Sequence, residues 1–146
     1  MARIPLSTLV ADRDRPEIAP DASLRDAVRL LCADWTHGAL GVVENGKLTG
    51  LVSKRDILCR GIDKGMDLDS ATVRDVMTPN PEALTAEETL ADAYRLMHAK
   101  GYRHVPVLDA DRFAGIVAYR EVPVSVRNLA ERFDEFSHGK PGVLEH

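Results

Sequence analysis

The sequence has few aromatic residues, 5% in all with a single tryptophan, and only two cysteines. Cys32 and Cys59 are too few for a disulfide framework, and neither lies in a Cys-x-x-Cys or Cys/His cluster, so buried thiols are expected. No apolar run approaches the ~20 residues that span a bilayer, and Met1-Ala2-Arg3-Ile4-Pro5-Leu6 lacks an apolar core. That reads as a soluble, cytoplasmic protein with no membrane partner. A basic excess is also missing: the formal net charge is -4 with both signs interspersed, which argues against a nucleic-acid partner. Catalytic signatures are absent as well. There is no Gly-Lys-Ser/Thr phosphate loop and no nucleophile elbow, and His37, His98 and His104 have no metal-ligand spacing, so neither an enzyme nor a metal site is expected.

What is there is said twice. Ser23-Leu24-Arg25-Asp26-Ala27-Val28-Arg29-Leu30-Leu31 returns as Thr89-Leu90-Ala91-Asp92-Ala93-Tyr94-Arg95-Leu96-Met97, and Leu48 to Ile57 returns as Phe113 to Val122. Self-similarity at a fixed period marks a duplicated structural unit. The chain of 146 residues then holds two copies sharing one core, and the cleft between them is the first place to look for a ligand.

Each copy reads as β-α-β-β-α, an α/β (α+β) unit. Leu24, Ala27, Val28 and Leu31 recur at helical spacing behind Asp21 or Ser23 as N-cap; Leu90, Ala93, Tyr94 and Met97 do so behind Thr89, giving helices of about three turns. The apolar runs 39–43 and 104–108 read as strands. Each turns, at Glu44-Asn45-Gly46-Lys47 and Asp109-Ala110-Asp111-Arg112, into a second strand that runs on into a helix near Ser53 and near Ala118. Glu17-Ile18-Ala19 and Glu82-Ala83-Leu84 supply the leading strands, and the period drifts by one residue around Cys32 to Thr36. Ser125 to Phe136 is helical and has no counterpart in the first copy. His37 and His98 read as solvent-facing, Trp35 as a packing or dimer contact, and Met66, Met77 and Met97 as linker or core. Val143-Leu144-Glu145-His146 looks like a purification-tag stub and carries no functional weight.

Three pieces carry a family resemblance: Gly50-Leu51-Val52-Ser53-Lys54-Arg55-Asp56, Tyr102-Arg103-His104-Val105-Pro106-Val107, and Val73-Arg74-Asp75-Val76-Met77-Thr78 opening the second copy. Together, in this order inside a repeat, they resemble a tandem pair of CBS domains, the module named after cystathionine beta-synthase, and in particular the small stand-alone CBS proteins. The reading divides the chain into a first domain at 6–60, a linker at 61–71, a second domain at 72–127 and a helical tail with the tag remnant at 128–146.

The resemblance implies two repeats related by a pseudo-two-fold axis, a disk-like homodimer, and an adenosine ligand in the cleft: AMP, ADP or ATP, with S-adenosylmethionine also in the family's range. It further implies a regulatory role toward an unnamed protein partner. Asp56 suits the two ribose hydroxyls, since a fixed carboxylate accepts from both. Ser53, opening a helix, suits a phosphate. On spacing alone Ser53-x-x-Asp56 is equally a helix-capping pattern, and the two roles can coexist. Arg103 and His104 fall opposite Asp56 near the phosphates, Arg for planar phosphate recognition and His as a group that a phosphate can protonate. Arg120 is a third cationic candidate, and Thr78 to Glu82 would line the adenine end. In the second copy Ala118 and Glu121 replace the hydroxyl and the aspartate, and Gly38-Ala39 stands where Arg103-His104 stands in the other. One competent cleft per chain follows, the other being empty or altered. The competing reading is a degenerate CBS dimer that serves as a structural scaffold and binds no nucleotide.

Overall fold

The structure is a computed structural model that describes residues 4–36 and 38–138. In chain order the elements are α1 (Leu6–Val10), β1 (Glu17–Ile18), α2 (Leu24–Leu31), β2 (Ala39–Glu44), β3 (Lys47–Ser53), α3 (Lys54–Asp56), α4 (Val73–Val76), β4 (Thr78–Pro79), β5 (Leu84–Thr85), α5 (Leu90–Lys100), β6 (His104–Asp109), β7 (Arg112–Ala118) and α6 (Val124–His138). One sheet has the order β1-β2-β3-β4 and the other β5-β6-β7. Each leading strand pairs in parallel with the first hairpin strand, and the hairpin itself is antiparallel. The two hairpins meet through Ala39, Phe113 and Ile116. Gly41 is there because the Phe113 ring lies where a side chain would stand, about 2.5 Å from an added Cβ.

Local chemistry explains most of these bounds. Ser23 Oγ accepts the Asp26 N–H (3.1 Å) and Thr89 Oγ1 the Asp92 N–H (3.3 Å), so both repeat helices start where a capping residue stands. Helix α2 is shorter than expected, ending at Leu31 where the one-residue drift begins. At the first hairpin Asn45 and Gly46 have φ of 55° and 80°; at the second, Ala110 and Asp111 adopt 50° and 66° without a glycine. The second leading strand lies at Leu84–Thr85 rather than from Glu82 to Leu84, and Glu82 instead accepts the Tyr102 hydroxyl (2.8 Å).

The helices after the hairpins differ from expectation. In the first copy α3 continues as a π turn, Ile57–Gly61, and a 3₁₀ turn, Ile62–Lys64, and stops at Gly65 with φ 78°. In the second copy only a 3₁₀ turn, Tyr119–Glu121, follows β7, because Pro123 holds Val122 extended and interrupts the run. The chain then starts afresh as α6.

The segment ahead of each copy folds onto the other copy. Leu6 N–H donates to Glu88 O (2.8 Å) and Ser7 N–H to Ala86 O (2.9 Å); likewise Val73 N–H donates to Ala22 O (2.9 Å) and Arg74 N–H to Pro20 O (3.0 Å). Leu6 and Val10 accordingly sit in the core of Leu90, Tyr94, Met97 and Val105, while Val73 and Val76 sit in that of Leu24, Ala27, Leu40 and Val52. Gly50 and Gly115 serve the same close approach: a Cβ on Gly50 would meet Met77 and Thr78, and one on Gly115 would meet Val10.

Both cysteines are exposed, against the expectation of buried thiols. Cys32 is the residue that ends α2, and Cys59 stands on the outward side of the π turn. Met97 is core, Met66 and Met77 are partly buried, Trp35 is exposed, and His98 is exposed and stacked on Tyr94. His37 and the residues from 139 onward, the tag-like end among them, lie outside the described residues. Among the described residues no helix is long and apolar enough to cross a membrane.

Candidate functional site

A cavity of about 500 Å³ lies between the copies. The end of β3 and the start of α3 supply Ser53, Lys54, Arg55 and Asp56; the approach to β6 supplies Arg103 and His104; the turn after β7 supplies Arg120. The residues singled out in the two copies thus line one space. Thr78 joins them through β4, which pairs with β3, whereas residues 79–82 do not reach it.

The cavity is cationic. Lys54, Arg55, Arg103 and Arg120 face it with His104, against the single carboxylate of Asp56. Lys54 and Arg55 add charge that the motif reading had not assigned to the ligand. Such an excess in a concave space attracts an anion and raises its local concentration. Gly38, at the edge of this cavity, has φ 89°, a left-handed conformation that favours glycine.

The cap expected from spacing is formed. Ser53 Oγ accepts the Asp56 N–H (3.2 Å), and Asp56 Oδ2 accepts the Ser53 N–H (2.9 Å) and the Ser53 hydroxyl (3.1 Å). That engages one carboxylate oxygen. The other, Oδ1, lies 3.8 Å from the Nε of Arg60, a half-exposed side chain that also makes long contacts to Val76 O and Met77 O. Arg60 escaped the motif reading, although its i,i+4 spacing from Asp56 is visible in the sequence. Ser53 and Asp56 therefore keep a fixed geometry, with the second carboxylate oxygen engaged only by this long ion pair.

On the other side, Tyr119 N–H donates to Arg103 O (2.8 Å), so Arg103 and Arg120 are held by one local stitch between β6 and the turn after β7. Tyr102, beside Arg103, has its phenol pKa raised above the ordinary value, chiefly by its hydrogen bond to Glu82.

The related cleft on the second copy is different. Glu121 Oε1 accepts the Ala118 N–H (2.8 Å), and Glu121 Oε2 pairs with Arg13. On the other side of Arg13 lies a space of only about 10 Å³, lined also by Pro16, Trp35, Thr36 and Ile116 among others. A larger hollow, about 820 Å³, opens at the hairpin tips, but its Arg13 and Arg15 pair with Glu121 and Glu17, and Asp109 stands beside Arg112 in the hairpin register. It has no comparable excess of charge. Among the described residues no cluster of His, Cys, Asp and Glu could hold a metal ion.

Comparison with known proteins agrees with this duplicated fold. The model of the CBS domain matches twice, at residues 10–61 and 73–122. The CBS domain-containing protein CBSCBSPB5 of Arabidopsis thaliana is 33% identical over 107 residues, 73% of this chain but 19% of its own length, so the chain spans about a fifth of that relative. The CBS domain-containing protein YhcV of Bacillus subtilis is 31% identical over 108 residues, covering 74% of this chain and 76% of its own. The solved structure of CBSX2 in complex with AMP is 26% identical with a TM-score of 0.61, covering 90% of this chain and 94% of that one. By its duplicated fold and by both matches, the chain belongs to the CBS-domain family and is a tandem pair of that domain.

Proposed function

We propose that this protein is a regulatory sensor that binds an adenosine nucleotide of the AMP, ADP or ATP class between its two CBS repeats and passes the signal to a protein partner by a change of shape. The observation that carries the reading is the cavity itself, in which Arg103, His104 and Arg120 of the second copy face Ser53 and Asp56 of the first, with Lys54 and Arg55 beside them. Ribose hydroxyls donate to the Asp56 carboxylate, and the phosphates lie toward Arg103, His104 and Arg120. That a relative, CBSX2, was solved with AMP supports the same ligand class here. S-adenosylmethionine, itself cationic, is disfavoured by the charge around it.

A homodimer fits the exposed apolar residues. Leu58 and Ile62 follow α3 in the first copy, and Val124 and Leu129 lie on α6 in the second, so the helices after both hairpins carry unburied apolar side chains. Light scattering that returns the mass of a single chain would remove this part of the reading.

The nucleotide is tested by melting the protein with AMP, ADP, ATP and S-adenosylmethionine. A ligand that binds only the folded state adds ~2.7 kcal/mol at a hundred times its Kd, a rise of roughly 5–10 °C for a chain of this size. At least one nucleotide is expected to give that rise. A melting point unmoved by all four leaves the structural scaffold as the better account.

A further inference from the structure

In the second cleft the counterpart of Asp56 is already occupied. Glu121 offers one oxygen to the N–H of Ala118 and the other to the guanidinium of Arg13, and its side chain is 10% exposed. Arg13 comes from the stretch that joins α1, packed on the second copy, to β1 of the first. The hollow on the far side of Arg13, about 10 Å³, is about that of one water molecule and far below the several hundred Å³ of a small-molecule site. Thr36, 1% exposed, and Trp35 close its wall.

We propose that Arg13 is the built-in occupant of the second cleft and that it limits the chain to one nucleotide. The inference rests on the reading that the first cleft binds an adenosine nucleotide. A ribose would present hydroxyl donors to a carboxylate at this point; the guanidinium presents N–H donors to it instead, with the added strength of opposite charge. Arg13 is tethered within the same chain, so a diffusing nucleotide competes against a partner held at high effective concentration. In the first cleft the arginine on the carboxylate is held more loosely: Arg60 pairs with Asp56 only at 3.8 Å and is 52% exposed. The asymmetry between the clefts thus depends on Arg13 as well as on the loss of Ser and Asp from the motif.

Calorimetric titration with AMP, read alongside the fluorescence of Trp35, the sole tryptophan, tests this. The wild-type protein is expected to bind one AMP per chain with no change in Trp35 emission. Ala118→Ser with Glu121→Asp, Arg13 retained, still binds one; adding Arg13→Ala raises the number to two, the second site the weaker because Gly38-Ala39 supplies no charge to the phosphate there, and the second event alters Trp35 emission. Two sites in the wild type, a second site with Arg13 in place, or no second site in the triple variant while the first persists each overturn the proposal. If the wild type binds no AMP, the first-cleft reading fails and the plug is judged without ligand. Arg13→Ala must then increase quenching of Trp35 by acrylamide, and Arg13→Ala and Glu121→Gln must be non-additive in melting; additive effects with unchanged quenching overturn it.

Discussion

Ser53 and Asp56 carry a structural task and, in the proposed function, a binding task as well. The cap uses the serine hydroxyl and one carboxylate oxygen, which fixes both groups before any ligand arrives and lowers the ordering cost on binding. The same box recurs at Thr89 and Asp92, where the carboxylate accepts the Thr89 N–H at 2.9 Å, far from the cavity. That repetition is a control. Asp56→Ala and Asp92→Ala should each cost about 0.5–2 kcal/mol of stability, the range for losing a helix cap, but only Asp56→Ala should abolish the rise in melting point with AMP. Differential scanning fluorimetry of both variants, with and without AMP, checks it. An AMP response that survives Asp56→Ala would leave Asp56 as a cap alone. The sequence shows the box at both places; it cannot show which box faces a cleft, because that depends on how the two copies lie against each other.

At the scale of elements, periodicity located the repeat helices and hairpins, since apolar spacing and capping residues are local properties. What escaped it depends on partners distant in sequence. Strand β4 is two residues long and exists because Gly50 and Leu51 of β3 pair with Pro79 and Thr78. Helix α6 was visible as a pattern, but not its anchor, which is Tyr94 on α5. The Tyr94 hydroxyl donates to Glu131 at 2.7 Å, its ring lies 6.0 Å from Tyr119, and the Arg127 guanidinium sits 5.5 Å over Tyr119. Burial, together with the hydrogen bond to Glu131, holds the Tyr94 phenol well above its ordinary pKa of about 10. The sign of the linkage follows. Below that value both states keep the proton and the stabilisation is complete; as pH rises past it the unfolded chain releases the proton first, so stability is lost with increasing pH. Chemical unfolding from pH 8 to 11 should therefore show a steeper alkaline decline in the wild type than in Tyr94→Phe. Equal declines would show that this phenol does not hold α6. Because Tyr119 also donates its N–H to Arg103 O, the anchor joins α6 to the wall of the candidate site.

For the whole molecule, the exchange of leading segments makes the two copies interdependent. Leu6 with Val10 and Val73 with Val76 stand at helical spacing, but no local pattern says that each pair packs against the copy it does not adjoin. Arg13 was missed for the same reason: its partner, Glu121, lies 108 residues away. The consequence is testable at Leu6, which is fully buried among Leu90, Tyr94, Met97 and Val105 although it precedes the first copy. Truncating a buried leucine leaves a cavity and costs about 2–5 kcal/mol. Leu6→Ala should place that loss in the second copy, so native-state hydrogen exchange should quicken first in α5 and β6 and only later in α2 and β2. Val73→Ala, by the same exchange, should act in the opposite sense, first on α2 and β2. If Leu6→Ala instead loosened α2 and left α5 protected, the segment would belong to the copy it precedes. The leading segments would then give no mechanical link between the halves. With the link in place, the proposed nucleotide, if it drew Asp56 toward Arg103, would pull on two halves that are each completed by the other, α6 among them.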